Sequence, residues 1–563
     1  MELYDEKLVK LENMIEQVRR RKIADCGQES FEYIDAESNI EKLKIYNNNI
    51  IEARRGCGKT ALVLKSIEKS EDTTVQCDCQ LFRKMDKELV IVEILLKVVC
   101  SIKESLNAEN NKKFCEIYEN KIKGVRGFFR IIFNRISKEE KKRYENYKAF
   151  MELLNKLTNI MEEIKVMPAE QVKRYTLKKN VSEKITKKKK TVTEGNIKFS
   201  GESEFALKYK DIGAKLSNGI LYNTGIEEEF SEEYCDSEER GQLQEQEKVI
   251  KRIDIVNNLK NVIVTLLGDY KLEYKKGVMV YLDDFYQISK EEHPYIIQYL
   301  HDIYKVTRSK TFCFKVVTLP SSLKINYDDE VIFSVKDDFS SIYLDYDLSN
   351  LEKVQEHLIE ILISLDKRLN VVKSDIVSLF TNDDTFKFLV IATGGIPRDF
   401  MTSFCEAVKI SKRDRKSKIG KDQIYEVIRN LKTDKESNIE IDSELQTEKI
   451  ESAIEVINTE IITNMKTNVI LYPIEKAEQH EKILRNLTNL RYLHLIKAKI
   501  TSEKTKQECR AYLIDMTFYA CGRIPHSFNF CRFWEMDNDS RLNNLRRSPI
   551  WSFSEECVRE ILN

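Results

Sequence analysis

The chain has no excess of either charge: 93 Lys and Arg face 93 Asp and Glu in 563 residues. A globally basic nucleic-acid binder is therefore not indicated, although local patches stay open. No apolar run approaches the roughly 18 residues that a membrane-crossing helix needs, so no membrane span is expected. The start, Met1-Glu2-Leu3-Tyr4-Asp5-Glu6-Lys7, is charged and does not read as a secretory leader. Histidine is scarce, at six, with no H-E-x-x-H and no clustered acid–histidine pattern, which argues against an independent metal hydrolase. Nor is there a nuclease, protease, TIR or reverse-transcriptase constellation. The thirteen cysteines are an odd number, mostly in apolar stretches, and read as reduced thiols of a cytoplasmic protein. Cys77-Asp78-Cys79 has no second pair nearby, so a zinc site is not expected.

Present instead are 42% hydrophobic and 33% charged residues, enough for real cores under a heavily solvated, helix-rich surface. The length leaves room for three or four domains. The most informative stretch is Ala53-Arg54-Arg55-Gly56-Cys57-Gly58-Lys59-Thr60, between the short strand expected at 45–52 and the helical spacing of Ala61 to Ile67. Strand, glycine-bearing loop and helix start are the context of a phosphate-binding P-loop. Backbone N–H groups of Arg55, Gly56, Cys57, Gly58, Lys59, Thr60 and Ala61 would cradle phosphates, helped by the helix dipole. Lys59 would reach the β- and γ-phosphates, and the Thr60 hydroxyl would join the magnesium (Mg2+) shell. Ala53 stands where the full pattern wants glycine, which is tolerable only if its φ is negative. Cys57, near a helix N-terminus, is expected to have a lowered pKa and raised reactivity.

Downstream, Gly277 to Leu282 runs apolar into Asp283-Asp284-Phe285, as at the end of a buried parallel strand. Asp283 would hold magnesium through water, and Asp284 would polarise the attacking water. Thr311 to Thr318 reads as the next core strand; Thr318 could position water near the γ-phosphate or simply end the strand. In Thr393-Gly394-Gly395-Ile396-Pro397-Arg398-Asp399-Phe400, Pro397 starts a helix and Arg398 sits in its first turn. Arginine is unfavourable there unless an anion such as ATP is near, the alternative being a surface arginine.

In this order, Gly56-x-Gly58-Lys59-Thr60, Asp283-Asp284, Thr318 and Gly395 to Arg398 resemble the AAA+ superfamily, particularly its origin-recognition and initiator-type members and their STAND relatives. The resemblance covers about residues 40–435, and the tail to about 520. It implies an α/β fold: an AAA+ P-loop parallel-sheet core with a large α+β insertion, a helical lid and a C-terminal winged-helix domain. It implies Thr318 as sensor 1 and Arg398 as sensor 2. Two departures are the missing first glycine and the lack of an arginine finger. No arginine occurs between Thr318 and Arg368, with Lys324 and Lys336 the only cations near the family's finger position. A finger is typically worth 10³–10⁵ in rate. Asp284, one methylene shorter than the more usual Glu, points the same way, to a slow switch.

The expected layout is an N-terminal helical extension (1–40), a P-loop ATPase core (41–348) with an accessory insertion at about 107–245, a lid (349–435) and a winged-helix domain with its tail (445–563). Within the core a second strand is expected at 73–79 and an apolar helix at 88–106. The insertion reads as helical from Phe114 to Lys165, with an apolar knot at 128–133, then as a small antiparallel sheet near 195–222. It is flanked by a basic run (Lys184, Lys187 to Lys190) and an acidic one (Glu227 to Glu239). The basic run could be solvated, touch phosphates of DNA, or meet the acidic run of a neighbouring subunit. In the tail, helices at 448–465 and 475–491 precede strands at 492–497 and 510–515. Lys476, Lys482 and Arg485 on the second helix are mixed with Glu475, Glu478 and Glu481, so protein docking is at least as apt as DNA. Trp534 and Trp551, with Arg541, Arg546 and Arg547, suit an interface patch or ordinary packing.

The expected activity is ATP binding with slow hydrolysis, in a nucleotide-dependent oligomeric switch that controls a partner effector. By family analogy, such standalone, heavily inserted ATPases often look like subunits of bacterial antiviral (antiphage) defence systems. A DNA-binding initiator or transposition-type regulator, and a nucleotide-binding pseudo-ATPase scaffold, are the alternatives.

Overall fold

The computed structural model describes residues 1–19, 33–35, 37–108, 111–122, 138–178, 243–345, 348–437, 445–522, 527–536 and 538–562. The apolar knot, the sheet expected near 195–222 and both charge runs lie outside them. Helices dominate. The strands are β1 (Asn49–Glu52), β2 (Thr73–Asp78), β3 (Glu170–Lys178), β4 (Leu243–Lys251), β5 (Val278–Asp283), β6 (Phe312–Thr318), β7 (Ser340–Tyr343), β8 (Val469–Pro473), β9 (Leu493–Thr501) and β10 (Glu508–Ile514). Five of them form one sheet in the order β2-β5-β6-β1-β7. β1 runs parallel to β7, from Asn49 beside Ser340 to Glu52 beside Tyr343. β2 runs parallel to β5, ending with Asp78 beside Asp283. Every residue of β5 and β6 is buried, which is why these strands read as unbroken apolar runs. Lys315 is the exception inside β6, and burial lowers its pKa.

Contacts divide the chain into two compact units. The first comprises Met1–Lys69, Val316–Leu323 and Ser334–Asn563. The helix Glu6–Arg19 buries Leu8, Leu11 and Ile15 in the same hydrophobic core as the helices of 351–437 and the C-terminal sheet. Lys412 pairs with Glu12 at 2.7 Å, and the amino terminus of Met1 lies 3.4 Å from Asp375. The N-terminal helix is thus packed onto the helical segment. Pro397 occupies the first turn of the helix Pro397–Arg413, as its fixed φ favours. In the C-terminal part β8-β10-β9 form an antiparallel sheet.

The second unit comprises Ser70–Lys315 and Lys324–Phe333. Its core is the helix Lys87–Ala108, with Val90, Ile94, Val98 and Ile102 buried along one face at helical spacing. The helix Lys138–Val166 carries the buried Phe150, Leu154 and Leu157, and Arg252–Tyr274 the buried Leu259 and Ile263. Tyr270 of that last helix ties to Thr73 of β2 at 2.7 Å and to Ser105 at 3.2 Å. β3 and β4 pair antiparallel from Glu170 beside Lys251 to Lys178 beside Leu243. This two-stranded ladder is described where the sequence pattern offered no strand.

Several expected boundaries move. β1 begins at Asn49, four positions after the expected start at Ile45. The helix expected at 448–465 is α-helical over Thr447–Val456 and π-helical over Ile457–Met465. The helix expected at 475–491 is two helices, Ile474–Gln479 and Glu481–Asn489. Between them His480 is buried and bonded to the Tyr472 hydroxyl at 2.6 Å, a tertiary contact that overrides local periodicity. Trp534 and Trp551 are ordinary packing: both are buried, and the Trp551 indole donates to Glu460 at 2.6 Å. Arg541 is buried as well, and pairs with Glu352 at 2.8 Å.

Phe400 is fully buried, with the rings of Phe386 and Phe404 at 5.9 and 6.2 Å. Phe400→Ala should destabilise the first unit by about 3–5 kcal/mol. Both tryptophans of the chain lie in that unit, so urea unfolding followed by intrinsic fluorescence reads it selectively.

Candidate functional site

The loop that follows β1 enters the helix Lys59–Glu68. Gly56 and Gly58 both have φ of +87°, a left-handed conformation that side chains resist. Ala53 is absent from the positive-φ residues, so the departure from the glycine pattern carries no backbone strain. A Cβ on Gly56 would come within 2.9 Å of both Arg398 Cβ and Ile396 Cγ2. Glycine is needed there twice, for its dihedral and for that close approach. The Arg398 amide donates to the Gly56 carbonyl at 3.2 Å. The structure therefore brings Arg398 and the loop together, although 342 positions separate them in sequence (398 − 56).

Lys59 opens the helix and is buried; its ammonium donates to the Ala53 and Arg54 carbonyls at 2.7 and 3.2 Å. Thr60 and Ala61 follow in the first helical turn, half-buried, as are Arg55 and Cys57. The start of a helix is in general a favourable place for an anion, because the first N–H groups lack intrahelical acceptors. Thr318, at the end of β6, accepts from the Ala53 amide through its carbonyl at 3.4 Å. Its hydroxyl is fully buried and has no hydrogen-bond partner among the described residues. A buried hydroxyl left so is costly, which suits a group that meets a ligand or water. Arg398 is exposed, and its guanidinium makes no ion pair among the described residues.

The carboxylate pair lies in the second unit, at the carboxyl end of β5. Asp283 is buried and accepts the Asp284 amide at 3.0 Å. Asp284 has φ of +52°, a conformation aspartate tolerates better than most residues, and accepts from the Gln80 amide at 2.8 Å. Among the described residues no group of three His, Cys, Asp or Glu forms a metal cage. Magnesium does not need one, since it is bound through one or two protein oxygens together with phosphates and water. The Thr60 hydroxyl and the Asp283 carboxylate have the donor chemistry it takes.

Sequence reasoning did not reach the surroundings of the loop. The Arg54 amide faces both oxygens of Asp345 at 3.1 Å, and its guanidinium adds a 3.2 Å ion pair to the same carboxylate. Arg54 also approaches the Gly394 carbonyl at 3.4 Å and His494 Nδ1 at 3.2 Å. His494 Nε2 lies 2.8 Å from Asp515, which holds the buried Lys435 ammonium at 2.6 Å. Because a guanidinium only donates, Nδ1 accepts and Nε2–H donates, assigning the neutral tautomer. Burial lowers the His494 pKa, in agreement. Burial by itself would raise that of Asp515, but Lys435 and His494 outweigh it and keep the carboxyl well below its usual range. No local pattern in the sequence marks these residues; only the fold assembles them.

Beside the loop, a cleft of about 340 Å³, open mouth included, is lined by Tyr33, Asp35, Asn39, Cys57, Asp345 and His357 among others. Asp35 caps the helix Asn39–Lys44 through both oxygens, at 2.6 and 2.7 Å. The Tyr33 ring would lie 3.6 Å from a Cβ on Gly58. The expectation for Cys57 is corrected here. Burial, then the Asp345 carboxylate, push its thiol well above the ordinary value, outweighing Arg54 and Lys59. It is not a reactive thiolate.

No protein-family profile matches the chain, and no curated protein matches it. Among solved structures it is similar to Cdc6p of Pyrobaculum aerophilum, at 12% identity over 55% of this chain and 76% of that one, with a TM-score of 0.19. It is also similar to a RuvB mutant of Thermotoga maritima, at 11% identity over 45% of this chain and 71% of that one, with a TM-score of 0.22. Agreement of that size adds no weight to the loop and sheet geometry. No described helix is long and apolar enough to cross a membrane.

His357 in the cleft wall has its pKa pushed down by burial, from 6.5 to about 4. Its folded-state pKa is depressed, so the unfolded chain binds more protons between those values. Stability is full above about pH 6.5 and falls by up to about 3 kcal/mol as pH drops toward 4. Unfolding titrations across this range should show that loss, and His357→Gln should flatten it.

Proposed function

We propose that this chain is an AAA+ P-loop ATPase that binds ATP with magnesium on residues 55–61, hydrolyses it slowly, and serves as a nucleotide-dependent switch. The observation that carries the reading is the loop itself: two left-handed glycines around Cys57, Lys59 at the first position of the following helix, and Arg398 held against Gly56. Left-handed glycines at a helix start aim backbone N–H groups outward, where phosphate oxygens accept them. Lys59 would add an ammonium, now held by the Ala53 and Arg54 carbonyls, and the exposed Arg398 a second cation for the γ-phosphate.

The Thr60 hydroxyl would be the loop's ligand to magnesium, which when bound would offset charge on the phosphate oxygens. Asp283 for the metal and Asp284 for the attacking water keep the roles expected from their motif, and the buried Thr318 hydroxyl would orient water near the γ-phosphate. The missing arginine finger supports a low rate, since Lys324 is engaged with Asp328 at 2.8 Å. We assign switching rather than motor work to such a site, with self-assembly and a protein effector as its partners. A role in antiphage defence rests on analogy alone.

Of the two readings for the C-terminal part, protein docking in a winged-helix arrangement is favoured over DNA. Two of the three cations expected to meet phosphates are engaged within the chain: Lys476 pairs with Glu555 at 3.2 Å and Arg485 donates to the Ser321 carbonyl at 3.0 Å, while Lys482 is exposed.

Lys59→Ala should weaken ATP binding at least about 100-fold, as loss of a charged phosphate contact with its buried surroundings predicts. Asp284→Ala should bind ATP as the parent does and lose phosphate release by about 10²–10⁴-fold. Malachite-green phosphate release and filter-bound radiolabelled ATP read the two effects. A parent protein that binds ATP yet releases no phosphate would favour the pseudo-ATPase scaffold.

A further inference from the structure

Arg491 occupies a position built for glycine. It follows the helix Glu481–Asn489 and has φ of +66°, in the left-handed region common just past helix ends. A side chain other than glycine or asparagine is unfavourable there. An arginine kept at such a point is explained by what its groups reach.

Its Nη1 donates to both oxygens of Asp399, at 2.7 and 2.6 Å, in surroundings where the two side chains are 16% and 12% exposed. Its carbonyl accepts from the Lys435 ammonium at 3.1 Å, and so joins the buried chain Lys435–Asp515–His494–Arg54. Asp399 directly follows Arg398 in the first turn of the helix Pro397–Arg413. The backbone of Arg398 is thereby held from two sides: its amide on Gly56, and its neighbour's carboxylate on Arg491. The Arg398 guanidinium is left exposed, without an ion pair among the described residues. Asp399 could have neutralised it, but Arg491 occupies that carboxylate.

We propose that Arg491 is a positioning residue for Arg398: by holding Asp399 it fixes the first turn of the helix and keeps the neighbouring guanidinium available for the terminal phosphate of a nucleoside triphosphate. This rests on the assignment of Arg398 to the γ-phosphate under the proposed function. It makes the end of a C-terminal helix, remote in sequence from both the loop and Arg398, a determinant of triphosphate over diphosphate preference.

The test is the ratio of affinities for ATP and ADP, each with magnesium, measured by calorimetric titration of the full chain. Arg398→Ala should weaken ATP binding about tenfold and leave ADP unchanged, the size expected for one charge-assisted contact. Arg491→Gly should do the same, with the relief of left-handed strain offsetting part of the lost ion pair with Asp399. Asp399→Asn, close to isosteric, should repeat the effect without a backbone change. In an Arg398→Ala background Arg491→Gly should add nothing, since its effect passes through Arg398. The proposal is overturned if Arg491→Gly and Asp399→Asn leave the ratio unchanged while Arg398→Ala lowers it, or if the two effects multiply. If Arg398→Ala itself leaves the ratio unchanged while Lys59→Ala abolishes binding, the γ-phosphate assignment falls and the proposal with it. If the parent binds neither nucleotide, the proposed function fails as a whole.

Discussion

The contact on which the site depends is the one between Gly56 and the turn at Ile396 to Arg398. A glycine at +87° with less than 3 Å to spare for a side chain admits no substitute. It joins the loop after β1 to a helix that belongs, by sequence, to a different part of the chain. The hydrogen bond from Arg398 to the Gly56 carbonyl fixes the loop's exit, and the closeness sets where the arginine can reach. Moving either partner moves both the proposed phosphate cradle and its added cation, so the loop and the helix act as one element of the first unit.

A second layer keeps that element in place. Arg54, Asp345, His494, Asp515 and Lys435 are connected through buried or half-buried polar contacts behind the loop. Charges in such surroundings are tolerated because each has an opposite partner, and removing one member leaves another uncompensated. Such a network is weak evidence for added stability and better evidence for a specified geometry. Here it sets the neutral tautomer of His494 and places a residue of β9 against Arg54 of the loop. The C-terminal sheet is therefore part of the surroundings of the loop at 53–60 rather than an appendage.

Much of this was legible in the residues. The glycine spacing at 56 and 58, the apolar runs ending at Asp283 and Thr318, and Pro397 before Arg398 all report local backbone requirements, and local requirements leave local patterns. β2, β5, β6 and the helix Lys87–Ala108 fall close to where periodicity puts them. What was not legible depends on distant partners. Asp345, His494, Asp515 and Arg491 carry no pattern of their own, since their roles come from contacts across the first unit. The break at His480 is set by Tyr472, and the raised Cys57 thiol by Asp345 and burial, which helix-terminus reasoning by itself could not supply. The ladder of β3 and β4 was missed because charged residues break its alternation.

The central claim is that the loop at 53–60 and the turn at 396–398 receive one triphosphate together. Hydrogen–deuterium exchange of the full chain, with and without ATP and magnesium, tests it most directly, because backbone N–H groups are the proposed ligands. The account predicts slowed exchange in peptides covering both 55–61 and 398–401, saturating at the same ATP concentration. Protection of one segment without the other, or of neither at saturating nucleotide, would contradict it.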